Sequence, residues 1–171
     1  MKMMRLLPVG ALCAAVATVV SCNSTGCLDN GSALPLAGFY SSATAAAISV
    51  DSVEIAGVGA PDDSVLLKAN RGTSQVYLPM NPGADITKWA FIYRQRDLLD
   101  AGITDTVSFS YEAIPYFASE ECGAMYIYRI TGVRHTTNII DSVKLIDSLI
   151  TNVELERIRI FFRTAQEEPA Q

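Results

Sequence analysis

The sequence predicts an all-β protein: an antiparallel, immunoglobulin-like β-sandwich of about seven to nine strands, with a small closed β-barrel as the alternative. Three observations carry this. The stretch VSFSYEA alternates strictly, with Val107, Phe109, Tyr111 and Ala113 on one side and Ser108, Ser110 and Glu112 on the other, which is the period of a half-buried strand. Short apolar runs are separated at close intervals by GAPDD, NRGTS, NPGAD and DAGITD, all of them turn chemistry. No stretch sustains a helical period; RDLLDAG comes nearest, and it is short and ends in glycine, a turn of helix at most.

The chain opens with an element that does not belong to that fold. Lys2 and Arg5 precede an unbroken stretch of apolar and small residues from Leu6 to Val20. This reads as a secretory signal over residues 1–21: the run is shorter than the roughly 20 apolar residues of a bilayer-spanning helix, and no basic stop-transfer cluster follows. Val19-Val20-Ser21-Cys22 resembles the bacterial lipobox, which implies that Cys22 becomes the acylated first residue of the mature protein. An ordinary signal with an accidental cysteine is the lesser alternative. Acyl chains would hold the protein to a membrane with about 0.8 kcal/mol per buried methylene.

Of the four cysteines, Cys13 falls in the signal and Cys22 is assigned to lipid, leaving Cys27 and Cys122 in an exported setting. One pairing is open to them. A bond across 95 positions is credited with about 4 to 5 kcal/mol by the chain-entropy model; two buried free thiols are the alternative. With Cys27 pinned to the body, Asn23–Gly26 alone would separate lipid from fold, a reach of about 17 Å. The expected organisation is therefore a signal at 1–21, a lipidated N-terminus and short tether at 22–33, the sandwich at 34–163 and a disordered tail at 164–171.

Within the sandwich, strands are expected near 36–41, 48–57, 64–69, 74–80 and 138–147. RIRIFFR sets Ile158, Ile160 and Phe162 against Arg157, Arg159, Phe161 and Arg163. KWAFIYR from Lys88 and AMYIYRITGV from Ala124 are apolar on both sides, as central strands are, or strands at a partner surface. Asp51-Ser52-Val53, Asp63-Ser64-Val65, Asp105-Thr106-Val107 and Asp141-Ser142-Val143 echo one another, with Asp147-Ser148-Leu149 a looser copy. Their spacing follows no fixed period. They read as Asp or Ser side chains bonding the local turn before a β-branched residue starts a strand, rather than as a calcium repeat.

Composition excludes several functions. Removing residues 1–21 takes two of the thirteen basic residues and none of the eighteen acidic ones, leaving 150 residues with a formal charge near −7. That is one domain, and its charge opposes nucleic-acid binding. His135 is alone, beside Arg134 and without a carboxylate in sequence to orient it; a strand-end residue is the simpler reading than a catalytic base. Glu120 and Glu121 are adjacent, so an extended chain points them to opposite faces and they do not form an acid pair. Asp62 and Asp63 offer only two of the six to eight oxygens calcium takes. No catalytic residue, cofactor or metal site is expected. Among the aromatics, Trp89, Phe91, Tyr93, Tyr111, Tyr126 and Tyr128 are read mainly as core. Tyr116 and Phe117, which follow Pro115 in an expected bend, are the pair placed at the surface for a ligand or partner.

The blocks LPLAGFYSS, DSVEIAGVGAPDDSVL, QVYLPM, DTVSFSYEAIPYFASEECGAMYIYRI and TTNIIDSVKLIDSLITN resemble, in that order, an uncharacterised Bacteroidota outer-membrane lipoprotein family known only as a domain of unknown function. The resemblance runs from Cys27 to about Phe162 and includes both Cys27 and Cys122. It implies a small, outer-membrane-associated β-domain with no catalytic residues to carry over. NSTGC after the lipobox lacks an acidic run, which favours the periplasmic face over the cell surface. The expected function is a non-enzymatic, lipid-anchored module, in contact with the membrane through its lipid and with an outer-membrane protein partner. Binding of a glycan or small solute, calcium-assisted, is the alternative.

Overall fold

A computed structural model of the chain describes residues 33–61, 64–70, 72–96, 100–119 and 123–164. Ten strands are described: β1 (Leu36–Ser41), β2 (Val53–Gly57), β3 (Val65–Asn70), β4 (Gln75–Tyr77), β5 (Ile86–Tyr93), β6 (Thr104–Ser119), β7 (Gly123–His135), β8 (Ile140–Leu145), β9 (Leu149–Ile150) and β10 (Glu156–Phe162). They form a four-stranded sheet ordered β4-β1-β10-β8 and a six-stranded sheet ordered β3-β2-β5-β6-β7-β9. The all-β sandwich expected from the sequence is thus the architecture.

Two details differ from the expectation. The strands number ten rather than seven to nine, partly because β9 has two residues, too few for alternation to be legible. The first and last strands pair in parallel, Phe39 opposite Ile160, whereas the other paired strands run antiparallel.

Alternation supplies the core. Val107 and Phe109 of β6 and Ile158 and Ile160 of β10 are fully buried, as is Phe91 of β5. Phe39 of β1 lies 5.1 Å from Phe162 and 6.4 Å from Phe91, ring centre to ring centre, in edge-on contacts that join the two sheets. Each such ring or branched chain stabilises the fold by about 1.5 to 3 kcal/mol through burial. Phe161, on the opposite side of β10, is also covered: the Tyr40 ring lies 5.6 Å away and the Lys144 ammonium 5.2 Å from its centre.

The chain leaves the six-stranded sheet at His135 and joins the four-stranded one at Ile140, and the crossing is held by a buried carboxylate. Asp105 of β6 is fully enclosed. It accepts hydrogen bonds from the Tyr93 hydroxyl at 2.9 Å, the Thr136 hydroxyl at 2.7 Å, and the amides of Asn138, Ile139 and Ile140 at 2.8, 2.7 and 2.9 Å. The other face of the crossing is held by Arg163, which donates to the carbonyls of Thr137 and Asn138. A buried ion is tolerable only when so bonded. Burial alone would raise the Asp105 pKa, but the Thr136 hydroxyl and the amides of Ile140, Ile139 and Asn138 outweigh it and hold the carboxyl below its ordinary value. Burial, then the neighbouring Asp105, pushes the Tyr93 phenol upward.

The Asp-Ser-Val echo is therefore only partly local. Asp147 does bond the amide of Leu149, two residues on. Asp51 instead reaches the amide of Gly72, 21 positions away, and Asp105 binds a turn more than 30 positions on. These aspartates fasten distant turns together, which no local grammar encodes.

Replacing Asp105 by Asn should lower stability at neutral pH by about 3 to 5 kcal/mol, because one amide cannot satisfy five converging donors. Its lowered folded pKa makes the Asp105 contribution fully present above the unfolded value of about 3.9 and lost as the pH falls through the folded one. The gap between wild type and Asp105→Asn in denaturant melts should accordingly shrink below about pH 4; a gap under about 1 kcal/mol at pH 7 would contradict the clamp.

Candidate functional site

The longest hairpin outruns its sheet. β5 pairs with β6 only from Thr104 to Ser110, and β9 covers only Tyr128 and Arg129 of β7. Beyond those points β6 and β7 pair with each other alone, through Ile114↔Ile127, Pro115↔Tyr126, Tyr116↔Met125 and Phe117↔Ala124. The result is a two-stranded ribbon projecting from the sandwich.

Pro115 is compatible with a strand here for a definite reason. The amide of Tyr111 points to the β5 side, where it bonds the Asp85 carbonyl. By the period of two, position 115 faces the same side, now without a neighbouring strand, so the missing N–H breaks no ladder bond. It also blunts that edge against another strand. The expected bend after Pro115 is absent: Tyr116 and Phe117 continue β6 without interruption.

Both predicted contact residues are at the surface, Tyr116 at 48% and Phe117 at 64% exposure, and Tyr126 joins them at 43%. Phe117 and Tyr126 lie on the parity of Tyr111 and Tyr128, so they extend the sandwich's inner, apolar face past the point where the other sheet covers it. Tyr126 was assigned to the core because alternation marks the inner face and not where the opposing sheet ends. The neighbouring Trp89, Phe91, Tyr93, Tyr111 and Tyr128 are buried as expected.

At the ribbon's base is an open groove of about 320 Å3, with Ala124, Met125 and Tyr126 on one side and Leu34, Pro79 and Met80 on the other. Two tyrosines hold its floor. The Tyr111 hydroxyl donates to the Asn81 carbonyl at 2.8 Å and accepts from the Asn81 amide at 3.0 Å, and the Tyr128 hydroxyl donates to the Met80 carbonyl at 3.2 Å. Their rings meet edge-on at 5.4 Å. Among the described residues no charged side chain lines the groove; the Arg129–Glu112 pair on the ribbon spans 3.7 Å with both partners exposed, which contributes little.

A second cleft, about 490 Å3, opens at the other end of the sandwich among Ile48, Tyr93, Gln95, Ile139, Phe162 and Arg163. Its polar groups have structural tasks. Gln95 donates to the Asp51 carbonyl, and Arg163 pairs with Asp141 at 3.4 Å.

His135 ends β7, half-buried, its Nδ1 3.0 Å from the Thr136 carbonyl. Among the described residues no three His, Cys, Asp or Glu side chains are grouped to hold a metal ion, and no helix is long and apolar enough to cross a membrane. Cys22, Cys27 and Cys122, the acidic pairs Asp62–Asp63 and Glu120–Glu121, and the expected signal lie outside the described residues.

No curated protein matches the chain, and no solved structure does. A family model described as a family of unknown function (DUF6452) matches residues 52–162, from the start of β2 to the end of β10. That span includes the buried Asp105 clamp and the whole β6–β7 ribbon, and the chain belongs to this family.

Proposed function

We propose that the protein is a non-enzymatic, lipid-anchored module of a Bacteroidota outer membrane, tethered through Cys22 on the periplasmic side, that docks against a membrane protein partner. The observation carrying this reading is the aromatic ribbon: Tyr116, Phe117 and Tyr126 stand exposed on a rigidly based hairpin. Large aromatics on a firm support are the usual anchors of interfaces, and Pro115 directs contact to the ribbon's faces rather than its edge. A Cys27–Cys122 bond is part of the proposal. Gly123, next to Cys122, starts β7, while Ala33 and Ala124 line one groove; the six steps from Ala33 back to Cys27 reach about 20 Å when extended.

Cross-linking in cells, followed by purification in detergent and mass spectrometry, should recover a stoichiometric outer-membrane protein, and Phe117→Asp should abolish its recovery at unchanged abundance. Free protein alone would count against the partner. Cys22→Ser should release a folded, soluble form. Cys122→Ser, or reductant, should lower the melting temperature without affecting acylation, and identical melts with and without reductant would remove the disulfide from the proposal.

The cleft of about 490 Å3 at the opposite end favours a second reading, a periplasmic binder of glycans or small solutes. A thermal-shift panel of glycans, with and without calcium, separates the two, because any ligand of the folded state raises the melting temperature. The docking reading expects no shift.

A further inference from the structure

Among the described residues, the exposed large apolar side chains gather at one pole. β1 and β10 start there, at Leu36 opposite Glu156; β2 ends there at Gly57 and β3 starts there, while β5 begins at Ile86. Leu34, Ile86, Phe117, Ile146, Val153 and Leu155, each between 40% and 64% exposed, lie in the loops and strand ends of that pole. Val58 and Val65, also exposed, flank the β2–β3 turn, which opens in the same direction. The opposite pole, formed by residues 42–52, 72–74, 94–96, 100–103 and 136–139, presents no exposed large apolar side chain among the described residues.

The described chain also begins at the apolar pole. Ala33 is 1% exposed, set into the groove beside Met80 and Met125, and Cys22 is eleven steps upstream, at most about 37 Å away. We infer that, until a partner takes up the ribbon, this pole rests in the headgroup region of the bilayer to which Cys22 is anchored, with Tyr116, Phe117 and Tyr126 as its interfacial aromatics. This inference rests on the proposed acylation and adds an orientation to it. Aromatic rings favour that depth of a membrane, apolar body inward and hydroxyl outward. Among the described basic side chains of this pole, Arg157 is committed to Asp147 at 2.7 Å and Arg129 on the ribbon lies 3.7 Å from Glu112, while Lys88 is exposed. With two of these cations already paired, apolar insertion rather than attraction to anionic lipid holds the pole down.

The test reconstitutes the full mature protein in phosphatidylethanolamine–phosphatidylglycerol vesicles with brominated acyl chains and compares two reporters, F117W and, at the opposite pole, T137W. Native Trp89 is buried and gives a common background. Bromolipid should remove most of the F117W emission and leave T137W unchanged, with little dependence on ionic strength. Acyl mass on the intact protein together with an unquenched F117W, or equal quenching of the two reporters, overturns the orientation and leaves the anchor standing. Absence of acyl mass overturns the anchor and the orientation with it. A concentration-dependent blue shift of F117W without lipid would assign the pole to a second copy of the chain instead.

Discussion

A single ionised carboxylate holds one of the chain's crossings between its two sheets. The loop from β7 to β8 carries the backbone from the six-stranded to the four-stranded sheet, and its amides at Asn138, Ile139 and Ile140 have no ladder to join at that point. Asp105 receives all three, together with the hydroxyls of Thr136 and Tyr93. Desolvating a carboxylate costs several kcal/mol, and five donors offset that cost only if they converge as they do here. The geometry is consequently stringent. β8 then presents Ile140 and Val143 toward β10, and the parallel seam between β1 and β10 places Phe39 and Phe162 together above Phe91.

At the other end the constraint is different. A two-stranded ribbon is marginal by itself, and the part of β6 and β7 beyond the sheet has only its own pairing. Its base is secured by the two tyrosine hydroxyls on the Met80–Asn81 backbone. The distal part carries exposed aromatics where an isolated hairpin would favour polar side chains. That combination, a fastened base with exposed aromatics beyond it, is what the proposed partner contact rests on.

How much of this was legible in the sequence follows from what each signal encodes. Strict alternation marks faces, so β6 and β10 and their inward residues were readable from Val107–Tyr111 and Ile158–Phe162. Turn chemistry marks ends, so the strand expected at 64–69, between GAPDD and NRGTS, is found as β3 at Val65–Asn70. Neither signal reports where a facing sheet stops, so Tyr126 was assigned inward when the cover has already ended. Proline suggested a bend because its missing N–H is costly inside a ladder; that Pro115 faces an open edge depends on β5 ending at the level of Ser110, a tertiary fact. Asp105 looked like one of several equivalent turn aspartates, since its donors lie more than 30 positions away along the chain.

The two poles suggest a division of labour that the fold makes economical. Polar long-range clamps, Asp105 on the crossing turn and Asp51 on Gly72, gather at the end away from Ala33, where no large apolar side chain is exposed among the described residues. Among the described residues the apolar end has no fully buried charge, its Arg157 being paired with Asp147; its aromatic ribbon is held by neutral tyrosine bonds that tolerate a low-dielectric neighbour. Under the proposed anchor, a surface entering a headgroup region loses water, and any unpaired ion there would oppose docking. A sandwich with its buried carboxylate remote from the chain's start and neutral hydrogen bonds close to it avoids that cost, so the clamp that orders the fold can stay ionised whatever covers the ribbon.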